Sequence, residues 1–269
     1  MLKSYIVLFF ILLTISLFAQ TQEDIEYALN EIAKPLGGVV NDAVLQDANT
    51  LGGLPHFQIT GGINLRTVTF RDPNNPENNE EWTAGAISFE GRVGLFKGKS
   101  IAPTIGGFGS ADLLLRLAFY PMGEENDKYF VPLFGLGLKL GILRESLITP
   151  AISITGQYTG SSKFELIDEE SETYAEFTMK VFSLRADVSK NLFIVTPYVG
   201  FGFNINSLEA DIWYYDQFYS PVYDTYEVSP SATRFYAGLH KQLFFIGINL
   251  EGGLSGDTFY WALGLSAGI

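Results

Sequence analysis

The stretch TFYWALGLSAGI, residues 258–269, closes the chain and decides its fold class. Phe259, Trp261, Leu263, Leu265, Ala267 and Ile269 occupy every second position, while Tyr260, Ala262, Gly264, Ser266 and Gly268 fill the alternate ones. Successive side chains of a strand point to opposite faces. One face of this strand is therefore bulky and apolar, and the other is small.

The same alternation recurs upstream, so the chain reads as about ten strands: 56–70, 84–97, 107–120, 130–144, 148–160, 172–189, 192–207, 231–240, 242–254 and 258–269. Leu113, Leu115, Leu117 and Phe119 share a face in the third; Val199, Phe201, Phe203 and Ile205 share one in the seventh. The opposite faces carry Gly, Ala, Ser, Asn and scattered charge. Alternation alone does not say which face points outward, but size does: the lumen of so small a barrel is too narrow for that many inward Phe, Leu and Ile. The bulky face therefore meets lipid.

The strand at 172–189 breaks phase, because Phe177, Met179 and Val181 alternate one residue out of step with Phe182, Leu184, Ala186 and Val188. A bulge near Val181 and Phe182 would restore a single apolar face.

The connections alternate in length and charge, as in a barrel threaded up and down through a membrane. Long acidic ones lie at Arg71–Glu81, Gly123–Lys128, Ser161–Glu172 and Leu208–Pro230, with a short one at Ser255–Asp257; the others, which carry Lys99, Arg144, Lys190 and Lys241, are mostly shorter and basic. An even strand number places both barrel termini on the short-turn side, which we assign to the periplasm. Aromatics collect at both boundaries: Phe70, Trp82, Tyr120, Tyr129, Tyr158, Trp213 and Trp261 toward the long connections, and Phe57, Phe96, Phe193 and Phe244 toward the turns.

Met1 to Ala19 has the form of a secretory signal, with Lys3 before an apolar run and small residues before Gln20. Past it, Glu23 to Lys34 has helical spacing, with Ile25, Ala28, Leu29 and Ile32 on one face, and Pro35 with Gly37-Gly38 predicts its stop; a weaker helical stretch runs from Val39 to Gln46. The domain plan is thus a signal at 1–19, a helical plug or periplasmic segment at 20–55, and an outer-membrane barrel at 56–269. The segment is too short to build its own core and must dock, occluding the lumen as a hatch, lying across the periplasmic mouth or binding interfacial lipid. The formal charge of −13 argues against a nucleic-acid partner, and the lack of cysteine excludes disulfides and thiolate metal sites.

An apolar strand ending at the chain's own terminus resembles the closing strand of bacterial outer-membrane barrels. The stretch from Ile32 to Leu65, IAKPLGGVVNDAVLQDANTLGGLPHFQITGGINL, resembles an uncharacterised family of Gram-negative outer-membrane barrels with an export signal and a short helical segment before the strands. The resemblance implies a fold and an outer-membrane location, and no assigned activity.

The resulting expectation is an all-β protein: a transmembrane antiparallel up-and-down β-barrel of about ten strands with a short N-terminal helical segment. Its small face carries Arg66, Glu90, Arg92, Asp112, Arg116, Lys139, Glu176, Lys180, Arg185, Asp187, Arg234 and Glu251. Charges in a narrow lumen must be paired or wet, so these residues form an internal network or line a polar conduit; Glu90 with Arg116 and Arg92 with Asp112 are candidate pairs. Trp213, Tyr215, Tyr219 and Tyr223, interleaved with acids in the longest connection, suit weak recognition of a glycan or protein, or an extended strand.

Only His56 and His240 are available for acid–base chemistry, and both fall at the periplasmic ends of strands. No catalytic residue, metal ligand or cofactor is expected. The expected function is a non-enzymatic barrel in contact with outer-membrane lipid, either structural or a narrow or gated passage for small solutes or apolar compounds. The alternative is a surface recognition or adhesion protein using its acidic aromatic loops.

Overall fold

The computed structural model describes residues 22–43, 45–71, 79–100, 107–122, 129–168, 173–215 and 221–269. The expected signal at 1–19, Tyr219 and parts of the long acidic connections lie outside these residues, as do the side chains of Phe70, Trp82 and Tyr215. One helix, α1 (Gln22–Asn41), precedes twelve strands: β1 (Phe57–Arg71), β2 (Asn79–Phe96), β3 (Ser110–Met122), β4 (Tyr129–Leu143), β5 (Ala151–Ser161), β6 (Phe164–Asp168), β7 (Thr173–Ser189), β8 (Thr196–Tyr215), β9 (Pro221–Val228), β10 (Ser231–Leu243), β11 (Ile246–Ser255) and β12 (Thr258–Gly268).

Ten of the strands close a ring in the order β1-β2-β3-β4-β5-β7-β8-β10-β11-β12, each antiparallel to its neighbours. The ring shuts where β1 meets β12: Gln58 pairs Gly268 and Arg66 pairs Tyr260, and the Phe57 and Ile269 main chains exchange hydrogen bonds of 3.0 and 3.1 Å. Closure leaves no ring strand with an unpaired side, which is what a sheet in hydrocarbon requires. Leu115, Phe201 and Leu263 stand on the outside, 52%, 45% and 56% exposed, and the alternate residues face the axis. The outward apolar band makes this a transmembrane barrel.

The strands β6 and β9 lie where long loops were expected. The first continues the line of β5 along β7, and the second continues the line of β10 along β8 (Asp168↔Thr173, Glu209↔Glu227). Four adjoining strand lines therefore rise beyond the rest of the ring as one wall.

No bulge interrupts β7, whose pairing with β8 runs unbroken from Tyr174↔Trp213 to Ser189↔Tyr198. Instead the environment changes sides. Phe182, Leu184 and Val188 point outward, whereas Phe177, Met179 and Val181 point inward and are buried; β8 does the same, with Val199, Phe201 and Ile205 outside and Leu208, Ala210 and Ile212 inside. The last apolar outward pair is Phe182↔Ile205 and the next outward pair is Lys180↔Ser207. Below that level hydrocarbon solvates the outer face; above it water does, and the apolar side turns inward. Register shifts lie near the turns, between Gly94 and Phe96 and between Gly141 and Leu143, and one extra residue is accommodated on the other side of β7, where 161–163 join β5 to β6 opposite 178–179.

What the inward apolar face meets is α1. Ile25, Leu29, Ile32, Ala33, Leu36, Val39 and Val40 are buried in one cluster with Phe164, Phe177, Ile212 and Tyr226 from the raised wall and Val68 and Tyr120 from β1 and β3. Tyr120, expected at the lipid boundary, thus points into this cluster. The helix runs through Pro35 and past Gly37-Gly38 without stopping. A proline inside a helix costs about 3 kcal/mol, which burial of several large apolar side chains at about 1.5–3 kcal/mol each offsets.

After Asn41, residues 42–43 and 45–50 lie against the inner wall before β1 begins. The N-terminal segment therefore packs inside the barrel. It runs from the apolar cluster that holds Ile25 to Asp112, which accepts from Leu51 N near the turns.

Candidate functional site

The meeting of this plug with the polar wall is the most chemically loaded region of the protein. A helix ends with main-chain oxygens that lack intrahelical partners and with partial negative charge. Here the wall supplies the donors. Asn64 Nδ2 donates to Val39 O at 2.6 Å, Arg116 Nη2 to Val40 O at 2.7 Å, Arg234 Nη1 to Asn41 O at 2.6 Å and Arg116 Nη1 to Ala43 O at 3.3 Å. Asp42, fully buried, lies among Arg66 Nη1 at 2.9 Å, Asn204 Nδ2 at 2.9 Å and Arg234 Nη1 at 3.3 Å. Strands β1, β3 and β10 thus aim three guanidinium groups, and β8 an amide, at one turn of chain.

Nearer the turns the plug is extended and offers its backbone. Leu45 N donates to Glu251 Oε2 at 3.2 Å, Ala48 N to Ser189 Oγ at 3.1 Å and Leu51 N to Asp112 Oδ2 at 2.9 Å. Arg92 Nη1 donates to Asn49 O at 3.0 Å, and Lys139 Nζ donates to Asp47 O. Glu251 also accepts from Tyr198 and Tyr260, each at 2.9 Å, while Tyr236 donates to Asp187. Each such bond gives a polar group of the segment a partner inside the barrel, which is why irregular backbone is tolerated at membrane depth.

The structure places Arg66, Glu90, Arg92, Asp112, Arg116, Lys139, Arg185, Asp187, Arg234 and Glu251 on the buried inner face. Arg116 lies 3.7 Å from Glu90, Arg92 3.7 Å from Asp112 and Arg185 3.7 Å from Asp187. Lys180 does not belong with them. It stands outside, 49% exposed, in an ion pair with Glu209 at 3.5 Å, because β7 keeps one phase and even positions face outward. Glu176 follows the same parity and pairs with Lys163.

Trp213 and Tyr223 lie on the outer surface of the raised wall, with ring centroids 4.6 Å apart, and Tyr174 stands 5.0 Å from Trp213. The backbone of Tyr215 ends β8. His56 Nδ1 is 2.7 Å from Gly53 O, and His240 Nδ1 is 2.7 Å from Asn249 Oδ1, both toward the turn end.

Reasoning from sequence missed Asp42, Asn64, Asn204 and the three inward tyrosines. Asp42 carried no signal, since its stretch looked like helix surface. The tyrosines did carry one: Tyr198 pairs across strands with Gly238, and Tyr236 with Gly200, so each large ring fills the space of a missing side chain. A Cβ on Gly238 would sit 2.1 Å from the Tyr198 ring.

No family model matches the chain, and no curated protein matches it. Among solved structures it is similar to the outer-membrane protease OmpT from Escherichia coli, at 11% identity and a TM-score of 0.45 over 83% of this chain and 100% of that one. It is similar also to the translocator domain of the autotransporter NalP from Neisseria meningitidis, at 9% identity and a TM-score of 0.43 over 79% and 88% of the two chains. The attachment invasion locus protein Ail of Yersinia pestis matches at 12% identity and a TM-score of 0.33, over 79% and 96%. At identities this low the likeness concerns barrel architecture and says nothing of activity.

Proposed function

We propose that the protein is an outer-membrane passage for small solutes, without chemistry of its own, held shut at rest by its N-terminal segment. The observation that carries this reading is the way the plug is seated. A barrel stabilised only as a structural cylinder needs inward side chains that pair with one another; here Arg92 and Arg116 have such partners in Asp112 and Glu90, yet they donate to the plug as well, as do Arg66, Lys139 and Arg234. Its removal would leave a polar, cation-rich bore.

The test is conductance in planar bilayers. The intact chain is expected to be closed for most of the recording, and loosening the plug with mild urea is expected to open it reversibly, since closed barrels withstand denaturant better than an inserted segment. A bilayer that stays silent after proteolysis shows the plug released would end the reading.

A second reading draws on the raised wall, where Tyr174, Trp213 and Tyr223 form an exposed run of rings. Aromatic platforms beside acids suit glycan or protein recognition at the cell surface. Replacing Trp213 and Tyr223 by Ala and finding cell-surface binding unchanged would remove it.

A further inference from the structure

We propose that the seat of Asp42 is a binding site for a small oxyanion, a carboxylate or phosphate, and that such anions are the class of solute the passage carries. The inference rests on the passage reading above and adds the chemistry of the cargo.

The seat belongs to the wall. Arg66 comes from β1, Asn204 from β8 and Arg234 from β10, and all three donate to one carboxylate group at 2.9–3.3 Å. Arginine presents its donors as a planar fork that matches the paired oxygens of carboxylate and phosphate. Asp42 is the oxyanion bound there at rest, supplied by the chain itself.

Two further observations point to an anion. Among the described residues the buried inner face of the barrel carries six cations, Arg66, Arg92, Arg116, Lys139, Arg185 and Arg234, against the four carboxylates Glu90, Asp112, Asp187 and Glu251. With the plug withdrawn the bore would keep an excess of positive charge, the arrangement that selects anions in pores. Moreover, the seated plug does not exhaust the donors. Arg234 is fully buried, yet its Nε and Nη2 have no hydrogen-bond partner, and the same holds for Arg66 Nε. Phosphate has more acceptor oxygens than the carboxylate tethered there, and a free carboxylate can turn toward donors that the tethered one does not reach.

A free oxyanion and Asp42 therefore compete for one cradle. Entry of the anion displaces the turn that ends α1 and weakens the hold on the plug, which links opening to the solute that passes. No covalent step is involved.

The experiment uses the full chain carrying Asp42→Ala, folded in detergent and then placed in planar bilayers. In detergent, its thermal unfolding is expected to rise on adding formate or phosphate and not on adding chloride at equal ionic strength, because the cradle has lost its own anion. In bilayers under a potassium chloride gradient the opened pore is expected to favour chloride over potassium by roughly tenfold, as a focused cationic field does, and millimolar phosphate is expected to reduce that current. Arg66→Gln with Arg234→Gln should abolish both the rescue and the preference. Should Asp42→Ala not fold, Asp42→Asn keeps the shape, removes the charge and takes the same measurements.

A pore that opens but is unselective or prefers cations overturns the oxyanion site while leaving the passage intact. Silence in every variant after the plug is shown to be released overturns the passage, and the cargo with it. Equal rescue by chloride reduces the seat to a general charge effect and also overturns the proposal.

Discussion

Arg234 Nη1 donates to the main-chain oxygen of Asn41 at 2.6 Å, so a guanidinium carried by β10 ends a helix that lies 193 residues earlier in sequence. The same nitrogen lies 3.3 Å from Asp42 Oδ1. One wall side chain thus closes the helix terminus and holds its charge.

Truncating that side chain leaves both a main-chain oxygen and a carboxylate buried without it. Arg234→Ala is expected to lower stability by about 3–5 kcal/mol, the range for breaking a buried pair by removing one partner. Lys180→Ala removes an exposed partner of Glu209 and should cost no more than about 1 kcal/mol. Urea titration of both variants in detergent micelles checks the contrast.

Gly38 lies where α1 presses on β1, and an added Cβ would fall 1.5 Å from Arg66 Nη1. Alanine is the better helix former by about 1 kcal/mol, so local propensity alone predicts that Gly38→Ala stabilises. We expect the opposite: faster protease cleavage within 22–50 and more frequent bilayer openings, because the plug can no longer seat. Unchanged cleavage would mean that the helix does not rest against Arg66.

The boundary between hydrocarbon and water on β7 is drawn between Phe182 and Lys180. Leu184→Arg, within the apolar band, is expected to cost about 2–4 kcal/mol on insertion into vesicles, whereas Thr178→Arg, on the same face above the band, should cost about 0–1 kcal/mol. Equal costs at the two positions would move the boundary.

The chain has no cysteine, so a single introduced pair reports without background. Leu45 Cδ1 lies 2.2 Å from where a Cβ on Gly62 would stand. In the double variant Leu45→Cys, Gly62→Cys, oxidation should tie the plug to β1 and silence the urea-induced openings, and reduction should restore them. Openings that persist after oxidation would mean that the plug does not leave through this contact.

Much of the barrel was legible because hydrocarbon is a simple solvent. It demands apolar side chains at every second position, and Leu113 to Phe119 or Phe259 to Ile269 state that demand without help from any other part of the chain. The break in β7 was equally visible, but its cause was not. A bulge and a change of surroundings leave the same trace in one dimension, and only the unbroken pairing of Phe182 with Ile205 and of Lys180 with Ser207 distinguishes them.

The candidate site was legible in its wall and hidden in its plug. Arg66, Arg116 and Arg234 stood out as charges on a small-residue face, whereas Asp42 and the oxygens of Val39, Val40 and Asn41 gave no sign, because a main-chain acceptor has no letter of its own. Pro35 and Gly37-Gly38 even argued for a helix end. They were overruled because the helix is held from outside, by an apolar wall along its length and guanidinium groups at its tip.

The sequence by itself determined the amphipathic sheet, its phase within the apolar band and the signs of its inner charges, since each is a local response to the solvent on either side of a strand. Only the tertiary structure decided that the N-terminal segment packs inside the barrel, that Lys180 stands outside, and that Asp42 occupies the arginine cradle. Those facts depend on which distant residues meet once the ring has closed, and distances across a ring are not written along a strand.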